Sequence, residues 1–189
     1  VWLLAGSLLS DVAAAAENLD GFWIDSDGEV ILEIRPCAAS KSATKPSGPQ
    51  PAAEPIAARC GRVAWLRIPE GPDGKPILDY RNPDVKLRNR PVCGLDVVVG
   101  FKPEGNGVWG GGSVYVSDHG MTFSGQATVL GPTKVKVTGY VGLPIFGSSE
   151  VWSRVAGPPE TCAAVAARSN GAPAPAAQPA GGAAKAPVR

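Results

Sequence analysis

Apolar and polar residues alternate with a period of two along four stretches of this chain. Val30, Leu32 and Ile34 alternate with Glu29, Glu33 and Arg35, and only Ile31 breaks the polar face. Leu95, Val97, Val99 and Phe101 alternate with Asp96 and Lys102. Met121, Phe123, Ala127 and Val129 alternate with Thr122, Ser124, Gln126 and Thr128. Val135, Val137 and Val141 alternate with Lys134, Lys136, Thr138 and Tyr140. Such alternation predicts strands with one dry and one wet face. "DSDG" at 25–28, "PEGNG" at 103–107, "SDHG" at 117–120 and "LGPT" at 130–133 supply turn residues between them. No amphipathic helix of useful length is evident. The expected fold is all-β: about eight short strands in a single antiparallel up-and-down barrel. Closure removes exposed sheet edges, and eight strands enclose an interior that side chains fill or one small ligand occupies.

The predicted lining follows from the phase of the alternation. Val97, Val99, Phe101, Met121, Phe123, Val135 and Val137 are the candidate ligand-contacting residues, with Val30, Leu32, Ile34 and Leu95 on the same inner faces. Gly112, Gly125, Ala127 and Gly139 fall on or near those faces. Small residues there either leave room for a ligand or let a narrow barrel close, and the pattern alone favours neither.

The stretch "LDYRNPDVKLRNRPVCGL" at 78–95 crowds acids, bases and an Asn-Pro step into one connection. Asn82 is a good helix cap, Pro83 suits the first helical position, and Asp84 suits the first turn. Lys86, Arg88 and Arg90 fall toward the end, where cations are favoured, and Pro91 stops the turn. This predicts one short helix over 83–89 in a long loop, pinned by Asp79 pairing with Arg88 or Arg90. Every charge then has a structural task. The loop is also placed where it can cover one barrel mouth.

The chain has 189 residues and a net charge of +1, with acids and bases interleaved. No basic stripe interleaved with aromatics appears, so nucleic acid is not an expected partner. Residues 1–9 are apolar and Ala13 to Ala16 offer small-residue cleavage sites, so 1–16 reads as a signal-peptide remnant. That run is too short to span a bilayer. The expected domain covers 20–156, interrupted by a Pro/Ala-rich insertion at 38–57 and followed by an Ala/Pro-rich tail at 157–189. Four cysteines suit an oxidising compartment and allow three pairings. Cys37–Cys60 is favoured, with Cys93–Cys162 as a second pair. Free buried thiols are the alternative.

Candidate chemistry is sparse. His119 is the single histidine, lies in a turn, and lacks a second ligand at metal spacing. The serines of "GSSEVWS" have no evident base, and "GNGVWGGG" precedes a strand, so it is no phosphate cradle. Trp65, Trp109, Tyr115, Tyr140 and Trp152 read as packing residues. No catalytic site, metal site or cofactor is expected.

Taken in order, "GFWIDSDGEVILEIRPC", "CGRVAWL", "DGKPILDYRNPDVKLRNRPVCGLDVVVGF", "GVWGGGSVYVSDHGMTFSG" and "VKVTGYVGLPIFGSSEVWSRV" resemble the bacterial domain of unknown function DUF2147. The resemblance implies a secreted or periplasmic protein with a lipocalin-like (calycin) barrel and no established enzymatic activity. Gly21-Phe22-Trp23 also resembles the lipocalin G-x-W opening, which implies barrel closure by Trp23 stacked under Arg154. Two departures stand out. The insertion replaces a short hairpin, and "YVSDHGMTF" replaces the family's "Y-x-P-x-[DN]-G-K-x-Y", with His119 where an acid or Asn is usual.

Two functional readings remain. One is a periplasmic barrel that binds a small hydrophobic or amphipathic ligand. The other is an envelope structural or interaction protein with a filled barrel, acting on a protein partner through its loops and tail. A cavity above ~300 Å³ favours the first, and a packed barrel with an exposed apolar patch favours the second.

Overall fold

The computed structural model describes residues 18–38 and 57–169. The signal-peptide expectation, most of the insertion and the tail beyond residue 169 lie outside the described residues. Eight strands follow in chain order: β1 Gly21–Ile24, β2 Val30–Pro36, β3 Arg59–Leu66, β4 Asp96–Gly105, β5 Val108–Val116, β6 Met121–Gly131, β7 Lys134–Tyr140 and β8 Ser148–Val155. Each pairs antiparallel with the next, and β1 also pairs with β8 through Trp23↔Arg154, so the sheet closes into an up-and-down barrel.

This connectivity gives the barrel two unlike ends. The chain entry into β1, the exit from β8, and the β2–β3, β4–β5 and β6–β7 connections share one end. The β1–β2, β5–β6 and β7–β8 turns and the long β3–β4 connection, residues 67–95, share the other.

At the first end the core is shut. Trp23 is 1 % exposed and donates its indole N–H to the Leu19 carbonyl at 2.9 Å. The Arg154 guanidinium lies 4.1 Å from the Trp23 ring centroid and donates to the carbonyls of Asn18 and Pro132, both at 2.7 Å, and of Asp20. A partly buried cation over an indole contributes about 0.5–2 kcal/mol. Arg59 lies over Trp109 at 5.2 Å and pairs with Asp20. The Cys37–Cys60 disulfide clamps β2 to β3 where the insertion leaves the barrel.

Two lining predictions are corrected. Val99 is 52 % exposed on the outside of the wall. β4 carries one residue more than β3 twice, between the pairs Arg62↔Asp96 and Gly61↔Val98 and again between Gly61↔Val98 and Arg59↔Phe101. The first, at Val97, reverses the faces of β4; Gly100 takes φ 79°, a left-handed conformation that favours glycine, and absorbs the second, which restores them. Val98 and Phe101 therefore point inward and Val99 outward. Met121 has the inward phase but is also 52 % exposed, because it is the first residue of β6 and stands at the rim.

Two of the small residues on the inner face, Gly112 and Gly125, serve closure. A Cβ at Gly125 would meet the Phe101 ring at 2.5 Å, so that glycine makes room for Phe101.

The predicted helix over 83–89 is shorter than expected. It is a single 3-10 turn at Val85–Leu87 whose cap is Asp84, which accepts from the Lys86 N–H. Asn82 instead accepts from the Asp84 N–H at 2.9 Å, forming the turn before the cap. A helix absent from the sequence reading, α1, spans Cys162–Ser169 in the Ala-rich segment assigned to the tail. Thr161 caps it, Val165 is 2 % exposed, and the Cys93–Cys162 disulfide ties it to the loop before β4. Eight residues are too few for hydrophobic periodicity to reveal, and the helix holds by tethering.

Candidate functional site

The open end is a well. Its volume is about 500 Å³, and its walls come from both sides of the barrel: Leu32 and Val30 of β2, Val63 and Leu66 of β3, Val97 of β4, Val114 of β5 and Trp152 of β8. Ile77 and Val92 of the β3–β4 connection extend the wall upward. Leu32, Val114 and Trp152 also border a dry void of about 70 Å³ beneath, toward Trp23. A side recess of about 340 Å³ lies along β5 to β8 and shares Val114, Val116, Glu150 and Trp152 with the well.

The predicted lining residues divide accordingly. Val97 lines the well, while Phe101, Val135 and Val137 border the inner void. Phe123 and Val137 face the recess. Val99 and Met121 contact none of these spaces.

Sequence reasoning missed Val114, Trp152 and Glu150. A signal was available for two of them. Strand β8 puts Arg154 on the inner face by pairing it with Trp23, and a period of two then carries Trp152 and Glu150 inward as well. Glu150 sits opposite Val137 and Trp152 opposite Val135, which are inner-face positions of β7. Strand β8 is thus polar inside, and Val151 on its outer face is 45 % exposed.

The long connection over this mouth is pinned at Asp79, which is fully buried. One carboxylate oxygen accepts from the Tyr115 hydroxyl at 2.5 Å. The other accepts from Asn82 Nδ2 at 2.8 Å and from Arg90 Nε and Nη2 at 3.0 and 2.9 Å. Of the two predicted partners, Arg90 forms the pair. Arg88 instead donates from Nε to the Asn82 carbonyl at 2.7 Å and braces the turn. Burial by itself would raise the Asp79 pKa. The hydrogen bonds from Tyr115, Asn82 and Arg90 outweigh it and hold the carboxyl below the usual range. Burial and the bond to Asp79 push the Tyr115 hydroxyl up. With both oxygens engaged by four donors, Asp79 is a clasp between loop and barrel and offers no free oxygen for proton transfer.

His119 is exposed in the β5–β6 turn beside the recess. Among the described residues, no group of three or more His, Cys, Asp or Glu could hold a metal ion. No described helix is long and apolar enough to cross a membrane.

A closed eight-stranded up-and-down barrel, shut at one end by a Trp–Arg stack and open at the other, is lipocalin-like in architecture. A solved structure matches it in fold: a protein from Helicobacter pylori described as belonging to the lipocalin family, at TM-score 0.50 and 18 % identity, covering 73 % of this chain and 83 % of that one. The chain belongs to the family DUF2147, described as an uncharacterized protein conserved in bacteria, which matches residues 21–154. No curated protein matches it.

Proposed function

We propose that this protein is an extracytoplasmic carrier that holds a small hydrophobic or amphipathic molecule in the open half of its barrel. The observation that carries the reading is the well of about 500 Å³, apolar at its base and open at its mouth. That volume falls within the range of small-molecule sites, ~300–1,000 Å³. The two disulfides and the apolar, Ala-terminated N-terminal run support export. No reacting group is assigned to the well, and the reading is of binding and not catalysis.

Native mass spectrometry of protein purified from a bacterial periplasm, with solvent extraction, tests it. The expected result is a lipid-sized adduct that is weakened or lost in Leu66→Trp, which narrows the well, at unchanged melting temperature. A clean apo mass after incubation with a panel of aliphatic amines, alcohols and acids would overturn it.

A second reading, docking on an envelope protein through the loops, is favoured by one observation. The β7–β8 loop carries Val141, Leu143, Ile145 and Phe146 at 60–81 % exposure with no charge among residues 141–147. Such a patch marks an interaction surface. Crosslinking from position 145 in the periplasm tests this reading, and it fails if no partner protein is captured that is lost in Ile145→Ser/Phe146→Ser.

A further inference from the structure

The well has a charge asymmetry on its inner wall. Glu150 projects from β8 into the space, one inward position above Trp152, or about 7 Å toward the mouth. Its carboxylate accepts one hydrogen bond, from Trp152 Nε1 at 3.1 Å. No Lys or Arg among the described residues forms an ion pair with it.

The other charged groups lining the well do not cancel it. Glu29 and Asp118 face the mouth without ion pairs among the described residues. Asp25 accepts from the N–H groups of Glu29 and Val30. Arg67 is the basic group of the lining; its Nε and Nη2 donate to the carbonyls of Asp27 and Gly28, and its one charge stands against the carboxylates of Asp25, Glu29, Asp118 and Glu150. His119 borders only the recess. The well therefore has an apolar base and an acidic upper wall and mouth, with Glu150 exposed near the start of β8 at the open end.

We infer that the ligand is a cationic amphiphile: an apolar chain that reaches Leu32 and Trp152, with an amine or ammonium head placed against Glu150. This deepens the carrier reading and rests on it. A carboxylate head in the same position would meet the exposed Glu150, Glu29 and Asp118 as like charges, a repulsion that added salt weakens. A cation there gains a partner that the protein itself leaves open. The inference makes Glu150 a specificity residue and leaves affinity for the chain to the apolar base.

The test compares dodecylamine, dodecanol and dodecanoate, each below its micellar range, by calorimetry on the mature chain and on Glu150→Gln. Gln keeps the acceptor for Trp152 and removes the charge. The expected result is that dodecylamine binds wild type about tenfold or more tightly than dodecanol, with dodecanoate weakest. In Glu150→Gln the amine falls to the level of the alcohol, and the alcohol is unchanged. Dodecanoate binding as tightly as dodecylamine, or an amine affinity untouched by Glu150→Gln, would overturn the inference while the carrier reading stands. Failure of all three probes to bind would overturn the carrier reading and this one with it.

Discussion

The two ends of this barrel use the same kinds of residue for opposite purposes. At the closed end a cation, Arg154, stacks on Trp23 and spends its donors on three backbone carbonyls. At the open end an anion, Glu150, stands beside Trp152 with one hydrogen bond and no counter-ion among the described residues. Both charges sit on the inner face of β8, two inward steps apart. The difference lies in what surrounds them. Loops and turns fold over Arg154 and satisfy it, whereas the well leaves Glu150 solvated. A charge that is fully satisfied belongs to the architecture, and one left open is available to a ligand.

The comparison can be broken most forcefully at the closed end. Trp23→Ala removes a buried indole, its hydrogen bond to Leu19 and the platform for Arg154, and is expected to cost about 4 kcal/mol. Urea denaturation checks this, and a cost below ~1 kcal/mol would mean that the end is not shut by this residue.

Asp79→Asn is expected to cost about 3 kcal/mol, because it leaves Arg90 without its buried partner. Hydrogen exchange should quicken across residues 77–92 and not at β1 or β8. The same variant tests the acid limb of stability. The folded pKa of Asp79 is depressed, so its contribution is complete above the unfolded value near 3.8 and is lost as pH falls through the folded value. Wild type should therefore lose stability below about pH 4, and Asp79→Asn should show a shallower acid slope.

A smaller effect sharpens the phase of β4. Val98→Ala should cost about 2 kcal/mol and Val99→Ala less than about 0.5 kcal/mol, read from paired thermal melts. Equal costs would place the bulge elsewhere.

Smallest of all, Phe146→Ser at the open rim should change stability by no more than about 0.5 kcal/mol, since the ring is 78 % exposed. A larger loss would show that the rim packs against something in the isolated protein.

Local pattern disclosed much of this molecule. The alternation of Val30, Leu32 and Ile34 and of Val135 and Val137 reads directly as wall, because neither β2 nor β7 itself carries an extra residue against its neighbours. The same rule fails at Val99, because one extra residue in β4 at Val97 reverses the faces and a second before Phe101 restores them. Asp79 with Asn82 and Arg90 could be read as a clasp from charge and spacing. Tyr115, which completes it, lies 36 residues away in sequence and gave no local sign of doing so. The helix Cys162–Ser169 was hidden in a low-complexity composition, and Val165 with one disulfide holds it down. Glu150 was legible only after Arg154 had been placed, since an acid in an alternating strand ordinarily faces water.

The sequence by itself determined the class of fold, the turns, the strand count and the pairing of Asp79 with an arginine of its own loop, because each depends on contacts near in chain or on a period of two. Tertiary structure decided which mouth stays open, where β4 changes face, and that a carboxylate lies inside the well. Those outcomes depend on how bulges and closure register eight strands against one another. Register is a property of pairs of strands, and no single segment carries it.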